Sequence, residues 1–128
     1  MTQNKKILIV DDDPDFASAI KTILTSANYH VDVAGNVEDG MKAIEQKGPD
    51  LILLDVMMEN YDDGFKMCSD LKNDDRYRDI PVIVITAVTE VTGLKFSPET
   101  DGEYLEAEDY VQKPISPEVL LEKVARFI

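Results

Sequence analysis

Four short apolar segments shape this sequence, and each runs directly into a residue that can take part in chemistry. They are residues 7–10 before Asp11 and Asp12, residues 51–54 before Asp55, residues 82–85 before Thr86, and residues 110–112 before Lys113 and Pro114. The first three are apolar almost throughout, which is typical of central strands covered on both faces in a parallel sheet. The carboxyl ends of such strands form one edge, where ligands bind. The pattern therefore predicts that these polar residues meet at one edge of a sheet.

Strand-like and helix-like segments alternate along the chain. The strand-like segments are residues 5–10, 30–34, 50–54, 81–85 and 109–112. The segments between them carry apolar residues at helical spacing, except for an irregular stretch at 90–108 that contains Gly93, Pro98 and Gly102. Alternation of this kind is typical of α/β proteins whose crossover helices cover both faces of a parallel sheet. We therefore expect a doubly wound α/β fold.

Capping signals predict where the helices begin. Two helix starts combine a capping side chain with proline at the first helical position, and they are Asp13-Pro14 and Ser116-Pro117. The first three helices are expected over residues 14–28, 36–48 and roughly 64–73, and the last from residue 117 onward. The apolar residues expected to mark the buried side of the last helix are Val119, Leu120, Val124 and Phe127.

Composition limits the architecture and the partners. With 128 residues, 44% of them hydrophobic, we expect one core and a single domain over residues 1–128, with no output domain. The formal charge of −13, from 26 acidic and 13 basic residues, predicts repulsion from nucleic acid and from anionic membranes. No segment has the pattern of a secretion signal or a membrane span, so we expect a soluble cytoplasmic protein.

The residues at the strand ends form a chemically coherent set. Asp11, Asp12 and Asp55 would bring three carboxylates together, and a hard cation such as Mg²⁺ would relieve their repulsion. Taken singly, each residue has a simpler explanation: a helix cap in an acidic turn for the aspartates, a strand position for Thr86, and a solvated side chain for Lys113. Together they suit a transferable phosphoryl group, with Asp55 as the nucleophile that forms an aspartyl phosphate.

The sequence resembles the receiver domain of two-component response regulators over essentially its whole length. The motifs that carry the resemblance are residues 7–13, residues 53–58, Thr86-Ala87 and residues 110–114. The resemblance implies a flavodoxin-like fold with five parallel strands in the order 2-1-3-4-5. It also implies that Asp55 accepts a phosphoryl group from a phosphohistidine on a sensor histidine kinase or a phosphotransfer protein.

The resemblance assigns roles to individual residues around the metal. Asp12, Asp55 and the backbone carbonyl of Met57 would bind Mg²⁺ directly, while Asp11 would act through a metal-bound water. Lys113 would pair with the phosphoryl oxygens, and its peptide bond to Pro114 would be cis.

The resemblance also implies a switch. Thr86 and Tyr110 match a pair that responds to the phosphoryl group and changes the surface around the fourth and fifth strands, where a downstream protein would be recognised. The chain departs from the family after Asp55, because Met58 is followed by Glu59 and Asp63-Gly64 comes one residue late.

Two other functions compete with a phosphorylated receiver. A phosphorylation-independent interaction module would keep the fold without the switch, and the altered loop after Asp55 motivates this alternative. A metal-dependent phosphatase resembling the haloacid dehalogenase class would carry a second Asp as acid and base two residues after the nucleophile, where this chain has Met57. We therefore expect no enzymatic turnover of an external substrate.

Overall fold

The computed structural model describes residues 5–55, 61–86, 108–112 and 115–128. The elements in this part of the chain alternate as the sequence predicts. In chain order they are β1 (Lys6–Val10), α1 (Pro14–Ser26), β2 (His30–Ala34), α2 (Val37–Lys47), β3 (Leu51–Asp55), α3 (Tyr61–Lys72), β4 (Val82–Thr86), β5 (Asp109–Gln112) and α4 (Pro117–Phe127).

The five strands form one parallel sheet in the order β2-β1-β3-β4-β5. Val10 at the end of β1 pairs with Leu54, and Asp55 pairs with Ile85 in the neighbouring strand. The carboxyl ends of β1, β3 and β4 are therefore level with one another. This is the flavodoxin-like topology that the resemblance implied.

Alternate residues of the central strands enter two separate cores. Leu8, Ile52 and Val84 lie in a core on the side covered by α2 and α3. Ile9, Leu53 and Ile83 lie in the core on the side covered by α1 and α4. Each central strand is buried on both faces, which explains why its sequence is a continuous apolar segment rather than an alternating one.

The helix ends follow the capping signals. Asp13 accepts hydrogen bonds from the N–H groups of Asp15 and Phe16, and Ser116 accepts one from Val119. Asn36 caps α2 in the same manner through Asp39. At the other end of α2, Gly48 adopts a left-handed conformation with φ 56°, which glycine reaches without steric cost.

Two details of the prediction were wrong. The third helix begins at Tyr61, not near Gly64, so the glycine lies within its first turn. Glycine costs a helix only about 1 kcal/mol relative to alanine, and a helix can tolerate it there. Val119 was expected on the buried side of α4 but is 45% exposed, because Leu120 and Val124 define the buried side and Val119 lies one residue, about 100°, away from Leu120.

Within the described residues, no helix is both long and apolar enough to cross a membrane.

Candidate metal centre

Asp11 and Asp55 come together because they end neighbouring strands. Asp55 is the last residue of β3, and Asp11 directly follows β1. The N–H of Asp11 donates to the carbonyl of Ala34 at 3.0 Å, so its backbone continues the ladder between β1 and β2. Both side chains are buried, with 1% of each residue exposed.

Asp12 completes a cluster of three carboxylates at this edge. One carboxylate oxygen from each of Asp11, Asp12 and Asp55 lies within 4.8 Å of the other two. Asp12 is exposed, whereas the other two are buried, so the cluster opens to solvent on one side. Buried carboxylates at this spacing repel one another strongly unless a cation or a hydrogen-bond donor compensates them.

The start of α1 holds the cluster in place. The N–H of Asp13 donates to Oδ1 of Asp11 at 2.8 Å, and the Asp13 side chain in turn accepts from the first turn of the helix. The positive end of the helix dipole lies beside the acidic edge, where it favours negative charge.

The donor set fits a hard divalent cation. Carboxylate oxygens are ligands that Mg²⁺ prefers, and the ion commonly uses one or two of them while keeping several waters. A cluster with two buried carboxylates and one exposed carboxylate offers oxygen ligands and leaves room for water or an incoming phosphate oxygen.

Thr86 and Tyr110 are placed by their strands. Thr86 is the last residue of β4 and pairs with Gln112, while Tyr110 pairs with Val84. Thr86 thus lies one position beyond Ile85, the partner of Asp55. The side-chain roles expected for Thr86 and Tyr110 lie outside what is described, as do Met57, Lys113 and the peptide bond to Pro114.

Known proteins share this fold and this sequence pattern. The probable transcriptional regulator ycf27 of Pyropia yezoensis is 37% identical over 122 residues, which cover 92% of this chain and 45% of the relative. The DNA-binding dual master transcriptional regulator RpaA of Synechocystis is 36% identical over 119 residues, covering 93% of this chain and 47% of RpaA. The crystal structure of a putative response regulator from Chloroflexus aurantiacus superimposes with a TM-score of 0.84 at 26% identity, covering 98% of both chains.

The doubly wound sheet and the carboxylate cluster at the ends of β1 and β3 are features of a receiver domain. The family described as response regulator receiver domain matches residues 7–125, and the chain belongs to that family. The chain spans a little under half the length of these two regulators.

Sequence reasoning missed a second polar cluster, which lies at the opposite ends of the strands, where β4 and β5 begin. There, Lys72 at the end of α3 is paired with Glu108, which precedes β5. These residues are 36 positions apart, and neither occurs in a motif. The only sign of this cluster in the sequence is that Lys72 directly follows the apolar residue Leu71. Local patterns cannot assign a partner to that lysine.

Proposed function

We propose that this chain is a phosphorelay receiver in which Asp55 accepts a phosphoryl group in a Mg²⁺-dependent reaction. The observation that carries the proposal is the convergence of Asp11, Asp12 and Asp55 within 4.8 Å in a chain of the receiver family. Asp55 is the natural acceptor because it ends β3, which lies between β1 and β4, and pairs with Ile85 of β4.

The transfer is a substitution at phosphorus. A carboxylate oxygen of Asp55 bonds to the phosphorus of a phosphohistidine, the P–N bond breaks, and its electron pair returns to the imidazole nitrogen. A bound Mg²⁺ would neutralise charge on the phosphoryl oxygens. Asp11 and Asp12 would hold that ion, together with Asp55 and the carbonyl of Met57. Burial fixes the positions of Asp11 and Asp55, so neither carboxylate needs to reorganise during the reaction.

Lys113 and Thr86 would complete the site. Lys113 follows the last residue of β5, and we propose that its ammonium group pairs with a phosphoryl oxygen. We propose that the Thr86 hydroxyl and the Tyr110 ring form the switch that alters the surface around β4 and β5.

The partners follow from the chemistry. A sensor histidine kinase or a phosphotransfer protein would supply the phosphoryl group, and another protein or an output domain would read the switched surface. The names of the two relatives describe transcriptional regulation. Because this chain carries a charge of −13, we propose that it does not itself contact nucleic acid or a membrane. We further propose that it is one cytoplasmic domain without turnover of an external substrate.

Intact mass after incubation with acetyl phosphate tests the proposal. The wild type should gain one phosphoryl group with Mg²⁺ and none with EDTA, and Asp55→Asn should gain none. Asp32→Asn is the matched control, because it removes a carboxylate from β2 outside the cluster, and it should be modified as the wild type is. If the folded wild type gains no mass under any condition, the chain is instead a phosphorylation-independent interaction module.

A further inference from the structure

Lys72 has a buried ammonium group with three acceptors. Its side chain is only 7% exposed, although it ends a helix. Nζ donates to the carbonyl of Arg78 at 3.1 Å, to the carbonyl of Ile80 at 2.8 Å and to Oε2 of Glu108 at 2.8 Å. An ammonium group has three protons, so each is used. Lys72 thereby joins the end of α3 to the start of β4 and to the start of β5.

Glu108 in turn makes two hydrogen bonds to Val82. The N–H of Glu108 donates to the Val82 carbonyl at 2.9 Å, and the Val82 N–H donates to Oε1 of Glu108 at 2.7 Å. The ladder between β4 and β5 begins one residue later, at Ile83 and Asp109. The Glu108 side chain therefore extends the pairing of the two strands by one position.

Only a carboxylate satisfies both donors. Oε1 accepts from the Val82 amide while Oε2 accepts from the Lys72 ammonium group. A glutamine would have an NH₂ group in place of one of these two oxygens, so one of the two donors would face another donor. The charge on Glu108 is thus matched to a charge on Lys72, and its position is matched to Val82.

The strand that these residues precede needs such a restraint. β5 has four residues, lies at the edge of the sheet and pairs with β4. Among the side chains of β5 that the structure describes, Val111 is the one buried in a core, so burial supplies few contacts that specify the register. A slip by one residue would reverse the face of the sheet on which each side chain lies and would move the strand by about 3.3 Å along its axis.

We propose that Glu108 is a positioning residue that fixes the register of β5 against β4 through its bond to Val82, with Lys72 balancing its charge, and thereby places Lys113 for phosphoryl transfer. The second half of this statement rests on the proposed function, because Lys113 immediately follows β5 in the chain. A displacement of about 1 Å at a reacting group can cost two orders of magnitude in rate. A pair at the amino end of β5 therefore acts on chemistry at the carboxyl end.

Two double variants that differ only at position 108 test the proposal. Lys72→Met with Glu108→Leu removes both charges and the acceptor for Val82. Lys72→Met with Glu108→Gln removes the same charges but keeps an amide oxygen for the Val82 N–H. Neither variant leaves one buried charge unpaired. Both lack the ion pair, so they differ only in whether the Val82 N–H keeps an acceptor.

Three measurements are made on each folded variant. NMR contacts between β4 and β5 report the register and need no phosphorylation. A Mg²⁺ titration followed at the Asp12 amide reports the metal centre. The rate of modification by acetyl phosphate reports the reaction. We expect the leucine variant to lose the native register and to react at least about tenfold more slowly with unchanged Mg²⁺ affinity, and the glutamine variant to stay within about threefold of the wild type.

The other outcomes overturn the proposal. A native register in the leucine variant would refute the positioning role, and a changed register with a normal rate would refute the link to phosphoryl transfer. A parallel fall in Mg²⁺ affinity would indicate general disruption instead. Loss of register in both variants would show that the charges, not the bond to Val82, are what matters. An unreactive wild type would refute the proposed function, while the NMR register would still decide the role of the pair.

An ion pair at β2, the outer strand on the far side of the sheet from β5, provides the control. Lys47 at the end of α2 lies 2.9 Å from Asp32 in β2, with the two side chains 52% and 27% exposed. Lys47→Met with Asp32→Leu makes the same change in charge and should leave register and rate unchanged. If the leucine variant does not fold, the single substitution Glu108→Gln takes its place. The glutamine NH₂ group would face one of the two donors, and the charged Lys72 ammonium group should keep the oxygen. Exchange of the Val82 amide should therefore accelerate, and an unchanged exchange rate would overturn the proposal.

Discussion

The backbone N–H of Asp13 donates a hydrogen bond to Oδ1 of Asp11 over 2.8 Å, which links the first helix to the carboxylate cluster. Asp13 uses its own side chain to accept from the first turn of α1, so one residue serves both structures. The acidic edge and the start of α1 therefore form a single hydrogen-bonded unit.

The cap on α1 should be measurable in the free energy of unfolding. Asp13→Ala removes the acceptor for the N–H groups of Asp15 and Phe16 and should lower that free energy by about 1 kcal/mol. Urea denaturation in EDTA measures the change without a contribution from metal. Asp13→Ser keeps an acceptor and should cost much less. Equal losses in the two variants would mean that the loss does not come from the capping hydrogen bonds.

The carboxylate cluster predicts that Mg²⁺ reverses the order of stability of the wild type and Asp12→Asn. In EDTA, Asp12→Asn should have a higher free energy of unfolding than the wild type, because it removes one of three clustered negative charges. The gain should be about 1 kcal/mol, the scale for two charges about 4 Å apart in water. In Mg²⁺ at about one hundred times its dissociation constant, the wild type should gain about 2.7 kcal/mol and become the more stable protein.

Thermal unfolding of both proteins with and without Mg²⁺ decides this prediction. Asp15→Asn removes a charge from the first turn of α1 outside the cluster and serves as the control. If Asp12→Asn is the less stable protein in EDTA, repulsion does not govern the cluster.

The packing of α2 predicts that Gly40→Ala destabilises the protein. A Cβ at this position would lie 3.1 Å from Cγ2 of Val10 and 3.2 Å from Cε of Met67. Met67 can move aside, but Val10 is a fully buried β-branched residue of a central strand. We expect a net loss of about 1 kcal/mol, since overpacking outweighs the helix propensity gained by alanine.

Gly35→Ala is the matched control for that substitution. A Cβ there would meet nothing within 4 Å, so the free energy of unfolding should change by less than about 0.5 kcal/mol. Equal effects at the two positions, measured by urea denaturation, would refute the contact with Val10.

The turn after α3 predicts a pH-dependent contribution from Asp74. Hydrogen bonds from the Arg76 side chain and backbone lower the pKa of Asp74 below its usual 3.8. A lowered pKa in the folded state means that folding favours the ionised carboxylate. The contribution is therefore complete above the unfolded pKa and is lost as the pH falls through the lower, folded pKa.

The difference in stability between the wild type and Asp74→Asn should accordingly shrink as the pH falls from above 3.8, the usual pKa of Asp74, through the lower pKa of the folded state. Thermal unfolding across that range measures it. Asp75→Asn is the neighbouring control, because it removes an adjacent carboxylate that pairs with Arg78 at 3.3 Å and not with Arg76. The Asp75 side chain is 91% exposed. A difference that stays constant with pH would show that Arg76 does not act on the charged form of Asp74.

The sequence predicted the architecture because the signals for it are local. Continuous apolar segments identified the central strands, and Asp13 and Ser116 identified the helix starts. The meeting of Asp11 with Asp55 followed from one rule about parallel strands and did not require coordinates.

The contacts that the sequence could not predict join residues that are far apart in the chain and close together in the fold. Lys72 and Glu108 are separated by 36 positions, and Gly40 is held close to Val10 by the packing of a helix on a sheet. Periodicity also overstated the apolar side of α4, because valine at position 119 reads as a core residue although it is 45% exposed. Long-range packing decides such cases, and one sequence carries no record of it.

Among the residues that the structure describes, the sheet separates two cores, and this has a thermodynamic consequence. Leu24 on α1 and Leu71 on α3 are both fully buried, but they pack on opposite faces of the sheet. Their replacement by alanine should cost several kcal/mol each, and the two losses should add with a coupling energy below about 0.5 kcal/mol. The two cores could then accumulate mutations independently, because a substitution on one face of the sheet would not change the cost of a substitution on the other.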